Sequence, residues 1–237
     1  MNNKIYIVGT PIGNLEDITY RAIKVLQSSD IILCEDIRVS QKLLQHYEIN
    51  NKRLIAYHKF NEKEMTPKII ELLQQGMIIS LISDAGMPCI SDPGFEVIKA
   101  AKAANIGIDV IGGPTALIHA IIKANLDNCF TFLGFLKDKS GARQNQLKSL
   151  TFGTYVAYVS PHKLLSTIKD FEIIFQEQVK LFLIKEMTKM FETSFEGTPQ
   201  EVLTQLSEED QRGEYTLVFS FKEPKKLKIN KYKKEIK

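Results

Sequence analysis

Between residues 78 and 95 the chain reads IISLISDAGMPCISDPGF, and a Ser-Asp pair occurs in it twice, at Ser83-Asp84 and Ser91-Asp92. Carboxylates in a loop this rich in glycine and proline can orient a ligand, accept a proton, or bond to the loop's own backbone. Two more clusters of proton-transferring residues follow apolar runs. Glu35 and Asp36 come directly after Ile31 to Cys34, with Arg38 and Ser40 beyond them. His58, Asn61 and Glu62 follow the run at 53–57. A carboxylate placed after a strand binds a ligand, does acid–base work, or caps the next helix. A lone histidine is more often structural, so His58 stands behind the carboxylates as a base.

These side chains need a frame. Apolar runs at 5–8, 31–34, 53–57, 78–82 and 108–111 read as strands, and they alternate with helix-like stretches at 20–27, 42–47, 68–75, 96–104 and up to 124. Such alternation predicts a mainly parallel sheet. Three of the connections stand out. Gly9-Thr10-Pro11-Ile12-Gly13-Asn14 follows the first strand. It is neither G-x-G-x-x-G nor a phosphate-binding loop, which argues against nicotinamide dinucleotides and nucleotide triphosphates. The loop after residue 82 exceeds the usual ~2–6 residues of a strand-to-helix connection. Gly112-Gly113-Pro114-Thr115-Ala116 follows the fifth strand, where two glycines leave room for a ligand and Thr115 can cap a helix with free backbone donors. Asp17 or Thr19 can cap the first helix.

The pattern changes after residue 125. Strands at 130–135, 154–159, 179–184, 191–196 and 214–221 have both short and crossover connections, as in a mixed sheet. The expected organisation is an α/β chain of two domains, 1–125 and 126–221, followed by a lysine-rich tail at 222–237.

Composition narrows the class. The 237 residues are 44% hydrophobic and 25% charged, as in a soluble globular protein. No apolar stretch reaches the ~18–20 residues of a membrane span, and the amino terminus does not read as a signal sequence. Cys34, Cys89 and Cys129 lack metal-ligand or disulfide-framework spacing, so no metal is expected and the location fits the cytoplasm. The net charge of +3 is uneven: the tail holds eight lysines and two glutamates, and the rest of the chain, with 23 basic and 26 acidic residues, is net −3. The body is not a generally basic nucleic-acid binder, whereas the tail can contact phosphates or simply aid solubility.

Seven motifs in collinear order, YIVGTPIGNLEDIT, CEDIR, SDAGMPCISDPGF, GGPTA, GFLKDKSGAR, SPHKLL and KEMTKMFETSFEGT, closely resemble the small-subunit ribosomal RNA methyltransferases of the tetrapyrrole methylase superfamily, over residues 4–221. The resemblance implies S-adenosylmethionine held between two α/β domains, a homodimer, and methylation of a cytidine ribose 2′-hydroxyl in the decoding region of 16S ribosomal RNA. It places cofactor contacts at Pro11, Ser83, Asp84, Ala85, Gly86, Met87, Pro88, Ser91, Asp92, Gly113, Pro114, Thr115 and Ala116. In the second domain it places Tyr158, Met187, Gly197 and Thr198 around the cleft. The basic segment 137–143 resembles one that faces RNA. The chain departs from the family pattern at Met87, where Thr is common, at Val159, often Glu, and at Lys163, often Arg.

Methyl transfer to a hydroxyl requires an in-line approach in a site with little water, and loss of the hydroxyl proton. Asp36, Glu62 and Asp92 are the carboxylate candidates, then His58. Asp92 is expected to shape the cofactor pocket, while Glu62 or Asp36 assists the hydroxyl. Arg38, Lys137, Lys139, Arg143 and Lys163 can hold RNA phosphates. Two other readings compete: methylation of a tetrapyrrole or other small molecule on the same fold, and a non-enzymatic RNA-binding ribosome-assembly protein.

Overall fold

The computed structural model describes residues 3–221, so the lysine-rich tail lies outside the described residues. The first half alternates strand and helix: β1 (Lys4–Val8), α1 (Tyr20–Ser28), β2 (Ile31–Cys34), α2 (Ile37–His46), β3 (Arg53–Ala56), α3 (Glu62–Gln74), β4 (Ile79–Leu81), α4 (Phe95–Ala103), β5 (Gly107–Ile111) and α5 (Ala116–Ala124). Its five strands pair in the order β3-β2-β4-β1-β5, all parallel. Alternation along the strands explains why both faces are covered. Ile5, Ile7, Ile31 and Leu33 meet Ile69 and Leu73 of α3 and Val97 of α4 on one face. Val8, Ile32 and Cys34 meet Ala22 and Leu26 of α1 and Leu44 of α2 on the other. A parallel sheet buried on both sides is the expected result of such crossovers.

The second half contains β6 (Phe130–Phe135), α6 (Ser140–Lys148), β7 (Thr154–Val159), α7 (Leu164–Phe175), β8 (Val179–Lys185), β9 (Thr193–Gly197), α8 (Pro199–Gln205) and β10 (Tyr215–Phe221). Its sheet runs β6-β7-β10-β8-β9, with β6 and β7 parallel and the other pairs antiparallel, a mixed sheet as expected. On one face Leu181, Leu183, Leu217 and Phe219 pack on Leu147, Leu164, Ile168, Phe171 and Val202 of α6, α7 and α8. The opposite face, with Val156, Phe182, Ile184 and Val218, takes up Ala120, Ile121 and Ala124 of α5. Thus α5, which follows the last strand of the first sheet, lays its buried side on the second and joins the halves.

Three elements differ from expectation: helix α2 already begins at Ile37, ahead of the expected 42, with Asp36 as its cap. Helix α3 begins at Glu62 and runs through Pro67, well before the expected start at 68. The Thr66 hydroxyl donates to the Glu62 carbonyl at 2.6 Å and lies 2.9 Å from the Tyr57 hydroxyl, which anchors the first turn. Glu62 and Glu64 in that turn also complement the helix dipole. Helix α8, which the sequence periodicity does not announce, is started by a Thr198–Glu201 capping box with Pro199 in its first turn. Among the described residues no helix is long and apolar enough to cross a membrane.

Candidate functional site

The strand order decides which loops meet. In a parallel sheet the loops after the strands share one edge, and β4, β1 and β5 are neighbours. The connections containing Gly9 to Asn14, Ser83 to Gly94 and Gly112 to Thr115 therefore lie side by side, at a place where ligands of open α/β sheets bind. They are locked together. Thr10 and Gly86 exchange backbone hydrogen bonds of 2.8 and 3.1 Å, and the Thr10 hydroxyl donates to the carbonyls of Ser83 and Gly86 at 3.3 and 3.4 Å. A Cβ on Gly9 would stand 2.8 Å from the backbone of Gly113, and one on Gly113 equally close to Gly9. Gly113 thus serves loop-to-loop approach rather than space for a ligand. Within the central loop Cys89 and Ser91 have φ of 72° and 68°, left-handed conformations uncommon for non-glycine residues. Cys89 N–H donates to the Pro93 carbonyl at 3.2 Å, closing the turn that carries Asp92.

A cavity of about 490 Å³ opens between this edge and the second sheet. Ala85, Gly86, Met87, Ile90, Ser91 and Asp92 form one wall; Thr115, Ala116 and Leu117, at the amino end of α5, form another. The second sheet contributes Phe135, Tyr158 and Val159, then Ile184 and Met187, then Gly213, Glu214, Tyr215 and Thr216. Thr115 caps α5 by accepting from Ile118 N–H at 3.3 Å, so unpaired backbone donors of the helix start lie at the cavity. The volume lies within the ~300–1,000 Å³ typical of small-molecule sites.

Asp92 dominates the electrostatics. Burial, reinforced by the charges of Glu35 and Asp84, pushes its carboxyl up to about 7. Burial also raises Glu35 and Asp84, which repel each other. Tyr158 is pushed up to about 12, first by burial and then by Asp92, so its phenol stays protonated. Asp36 behaves oppositely. It caps α2 by accepting from Arg38 N–H at 2.8 Å and pairs with the Arg38 guanidinium at 2.6 Å, which holds its carboxyl down at about 2. A carboxylate so strongly acidic is a poor proton acceptor near neutral pH.

Nine of the residues expected at the cofactor line this cavity: Ala85, Gly86, Met87, Ser91, Asp92, Thr115, Ala116, Tyr158 and Met187. Others support it from outside its lining. Pro11 and Pro88 are buried, and the buried Ser83 hydroxyl donates to the carbonyl of Ala85 at 3.3 Å. Asp84 accepts the Asp36 N–H at 3.1 Å, linking two loops. Gly113 and Pro114 face a separate, more open depression beside Thr19, Arg21 and His119. Glu62 accepts the Gly94 N–H at 3.2 Å and so braces the central loop, and His58 N–H donates to the Asn61 side chain at 2.8 Å. Asp36, His58 and Glu62 all lie outside the cavity lining.

Two expected placements differ. Gly197 and Thr198 lie outside the cavity lining: Thr198 accepts from and bonds to Glu201 as the cap of α8, and a Cβ on Gly197 would sit 2.5 Å from the Glu201 carboxylate. Arg143 does not face a phosphate. It is 1% exposed, pairs with Asp170 at 2.6 Å, and donates to the carbonyls of Lys137 and Asp138 at 2.9 and 3.0 Å. It is a structural pin for the segment before α6, while Lys137, Lys139 and Lys163 are exposed. Gly213 to Thr216, the turn into β10 and its first residues, line the cavity without a motif to announce them. The Gly-Glu ahead of an apolar run is its only signal. Glu214 N–H donates to Glu186 at 2.8 Å, tying this turn to the loop after β8, where Glu186 and Thr188 have φ of 51° and 64°.

Comparison with known proteins agrees with this architecture. Residues 4–203 match the family model described as Tetrapyrrole (Corrin/Porphyrin) Methylases. Uroporphyrin-III-C-methyltransferase of Thermus thermophilus superposes with a TM-score of 0.66 over 92% of this chain and 94% of that one, at 19% identity. A uroporphyrin-III C-methyltransferase of the same organism, complexed with S-adenosylhomocysteine, gives 0.62 over 92% and 97%, at 13% identity. At such identities the likeness concerns the fold. Sequence relatives are much nearer. "Ribosomal RNA small subunit methyltransferase I" of Mycoplasmopsis pulmonis is 52% identical over 93% of this chain and 99% of its own length. Proteins of the same name from Mesomycoplasma conjunctivae and Escherichia coli O157:H7 are 47% and 40% identical, over 98% and 91% of this chain and 97% and 77% of theirs. Two sheets meeting at one cleft and near-full-length identity at these levels lead to one conclusion: the chain belongs to the tetrapyrrole methylase family, among the relatives named ribosomal RNA small subunit methyltransferase I.

Proposed function

We propose that this protein transfers a methyl group from S-adenosylmethionine to the 2′-hydroxyl of a cytidine in the decoding region of 16S ribosomal RNA. The observation that carries the reading is the 52% identity, over 99% of its length, to a relative named for small-subunit ribosomal RNA methylation. The residues present suit the cofactor. Ile12, Ile90, Leu117, Ile184 and Met187 offer an apolar wall for an adenosyl group. The amino end of α5 offers backbone donors for a carboxylate. When bound, S-adenosylmethionine supplies a methyl group made electrophilic by its sulfonium.

The chain's own contribution is positioning, exclusion of water, and removal of a proton. Asp92 is the proton acceptor in this reading, in place of Asp36 or Glu62. Its carboxyl lies in the cavity lining, and a value of about 7 balances ionisation against basicity at neutral pH. Asp92 Oδ would take up the proton that the ribose hydroxyl loses on methylation. Exposed Lys137, Lys139 and Lys163 are the phosphate contacts of this reading. The same reading includes a homodimer, a cytoplasmic location, and division into domains 1–125 and 126–221. Transfer of labelled methyl groups to assembled small ribosomal subunits, with Asp92→Asn inactive at unchanged S-adenosylhomocysteine affinity, tests it. Wild-type protein that labels a tetrapyrrole and not the subunits refutes it, and sedimentation as a monomer refutes the dimer.

A further inference from the structure

Strand β6 contains an irregularity whose effect falls on the cleft. Phe130, Thr131 and Phe132 pair in register with Thr154, Tyr155 and Val156 of β7, but the next pair is Phe135 with Tyr158. Three steps along β6 match two along β7, so β6 carries one extra residue. Gly134, with φ of 66°, provides the left-handed conformation within the bulge. Side chains alternate along a strand, so one extra residue moves everything after it to the other face. Without the bulge Phe135 would share the face of Val159, which packs in the core under α6 and α7 although it too borders the cavity. With it, Phe135 shares the face of Tyr158 and lines the cavity.

Phe135 is nevertheless 58% exposed. Its ring meets Tyr158 edge-on, with centroids 5.5 Å apart, and Tyr158 in turn meets Phe132 at 5.0 Å. The aromatic row thus leaves Phe135 largely exposed, in the lining of the cavity that Asp92 also lines. Among the described residues no ring stacks face to face on Phe135, and nucleobases stack on exposed aromatic faces with little regard to sequence.

We propose that Phe135 forms a nucleobase-stacking subsite, which receives the unstacked base of the target nucleotide and thereby sets its ribose before Asp92. The proposal rests on the RNA reading above. A base drawn from its stack must be held elsewhere for the reaction to proceed, and an aromatic platform beside the proton acceptor does so while leaving the ribose hydroxyl free.

The test is single-turnover methylation of assembled small subunits by the full chain, alongside S-adenosylhomocysteine affinity by calorimetry. Phe135→Leu keeps an apolar side chain of similar volume but loses the π-face. It is expected to lower the second-order rate constant about ten- to a hundredfold, within the range of one lost base stack, with cofactor affinity unchanged. Phe135→Tyr and Phe135→Trp are expected within about threefold of wild type, a rescue that a purely packing role would deny to the bulkier indole. A Phe135→Leu rate within threefold of wild type overturns the inference. So does a parallel loss of cofactor affinity, which would put the ring on the cofactor instead. Wild-type protein that methylates no subunits removes the RNA reading and this subsite with it.

Discussion

Replacing Asp92 by Asn should stabilise the fold while it abolishes methyl transfer, and the stabilisation should depend on pH with a definite sign. An aspartate ordinarily titrates at 3.8; in the fold burial, Glu35 and Asp84 push Asp92 up to about 7. At ~1.4 kcal/mol per unit, holding its charge in the folded chain costs about 4 kcal/mol at most. The folded value is raised, so the folded chain retains a proton that the unfolded chain releases, and stability falls as pH rises between the two values. Below about pH 4 the carboxyl is protonated in both states and the cost is absent. Above about pH 7 it is ionised in both and the cost is complete. Asparagine has the same shape and no charge, so it removes the term. At ~2–4 °C per kcal/mol for a chain of this size, the ceiling on the gain is about 8–16 °C at pH 8. Thermal unfolding of wild type and Asp92→Asn by circular dichroism, from pH 4 to 8.5 at fixed ionic strength, measures it. Apart from Glu35 and Asp84, which feel the Asp92 charge, the titrating groups are common to both proteins and cancel in the difference. A gain that opens with rising pH is the expected result. An equal difference at every pH, or an Asn variant less stable at pH 8, would refute the reasoning that Asp92 is held ionised at a cost.

Glu35→Gln removes one of the charges that raises Asp92, so the acid limb of the rate–pH profile should move to lower pH; an unmoved limb would separate the two groups. Arg143→Met leaves Asp170 buried without its ion-pair partner, held only by Ser140 and Gln144, at a cost of up to about 3–5 kcal/mol, read by urea unfolding. Much of this should return in the Arg143→Met/Asp170→Leu double variant, and salt dependence of RNA binding should not change. Thr198→Ala should cost about 1 kcal/mol through the lost cap of α8 and leave cofactor affinity as it was, in keeping with a place outside the cavity lining.

The first sheet was legible because two simple signals agree there. Apolar runs such as Ile31 to Cys34 can be satisfied only with both faces covered, and glycine-bearing loops end three of the strands. The runs fix element type, while chain order and crossovers bring those loops to one edge. Caps were readable for the same reason: Thr19, Asp36 and Thr115 each precede a helix and each accepts from its first turn. Helix α3 was read short because Pro67 is a local signal and the Tyr57–Thr66 bond that overrides it is tertiary.

Charge was where sequence misled. Arg143 lies in a run of cations, and nothing local distinguishes it from Lys137 or Lys139; its role is set by Asp170, 27 residues away. Asp36 and Asp92 present the converse case. Both are aspartates beyond a strand, yet one titrates near 2 and the other near 7. The difference is their company: Asp36 has a guanidinium and a helix start, whereas Asp92 has burial, Glu35 and Asp84. That company depends on β2 and β4 being neighbours in the sheet, which places the loop of Glu35 beside the loop of Asp92. The acid–base character of the site is thus a property of strand order, and a motif read along the chain contains only half of it.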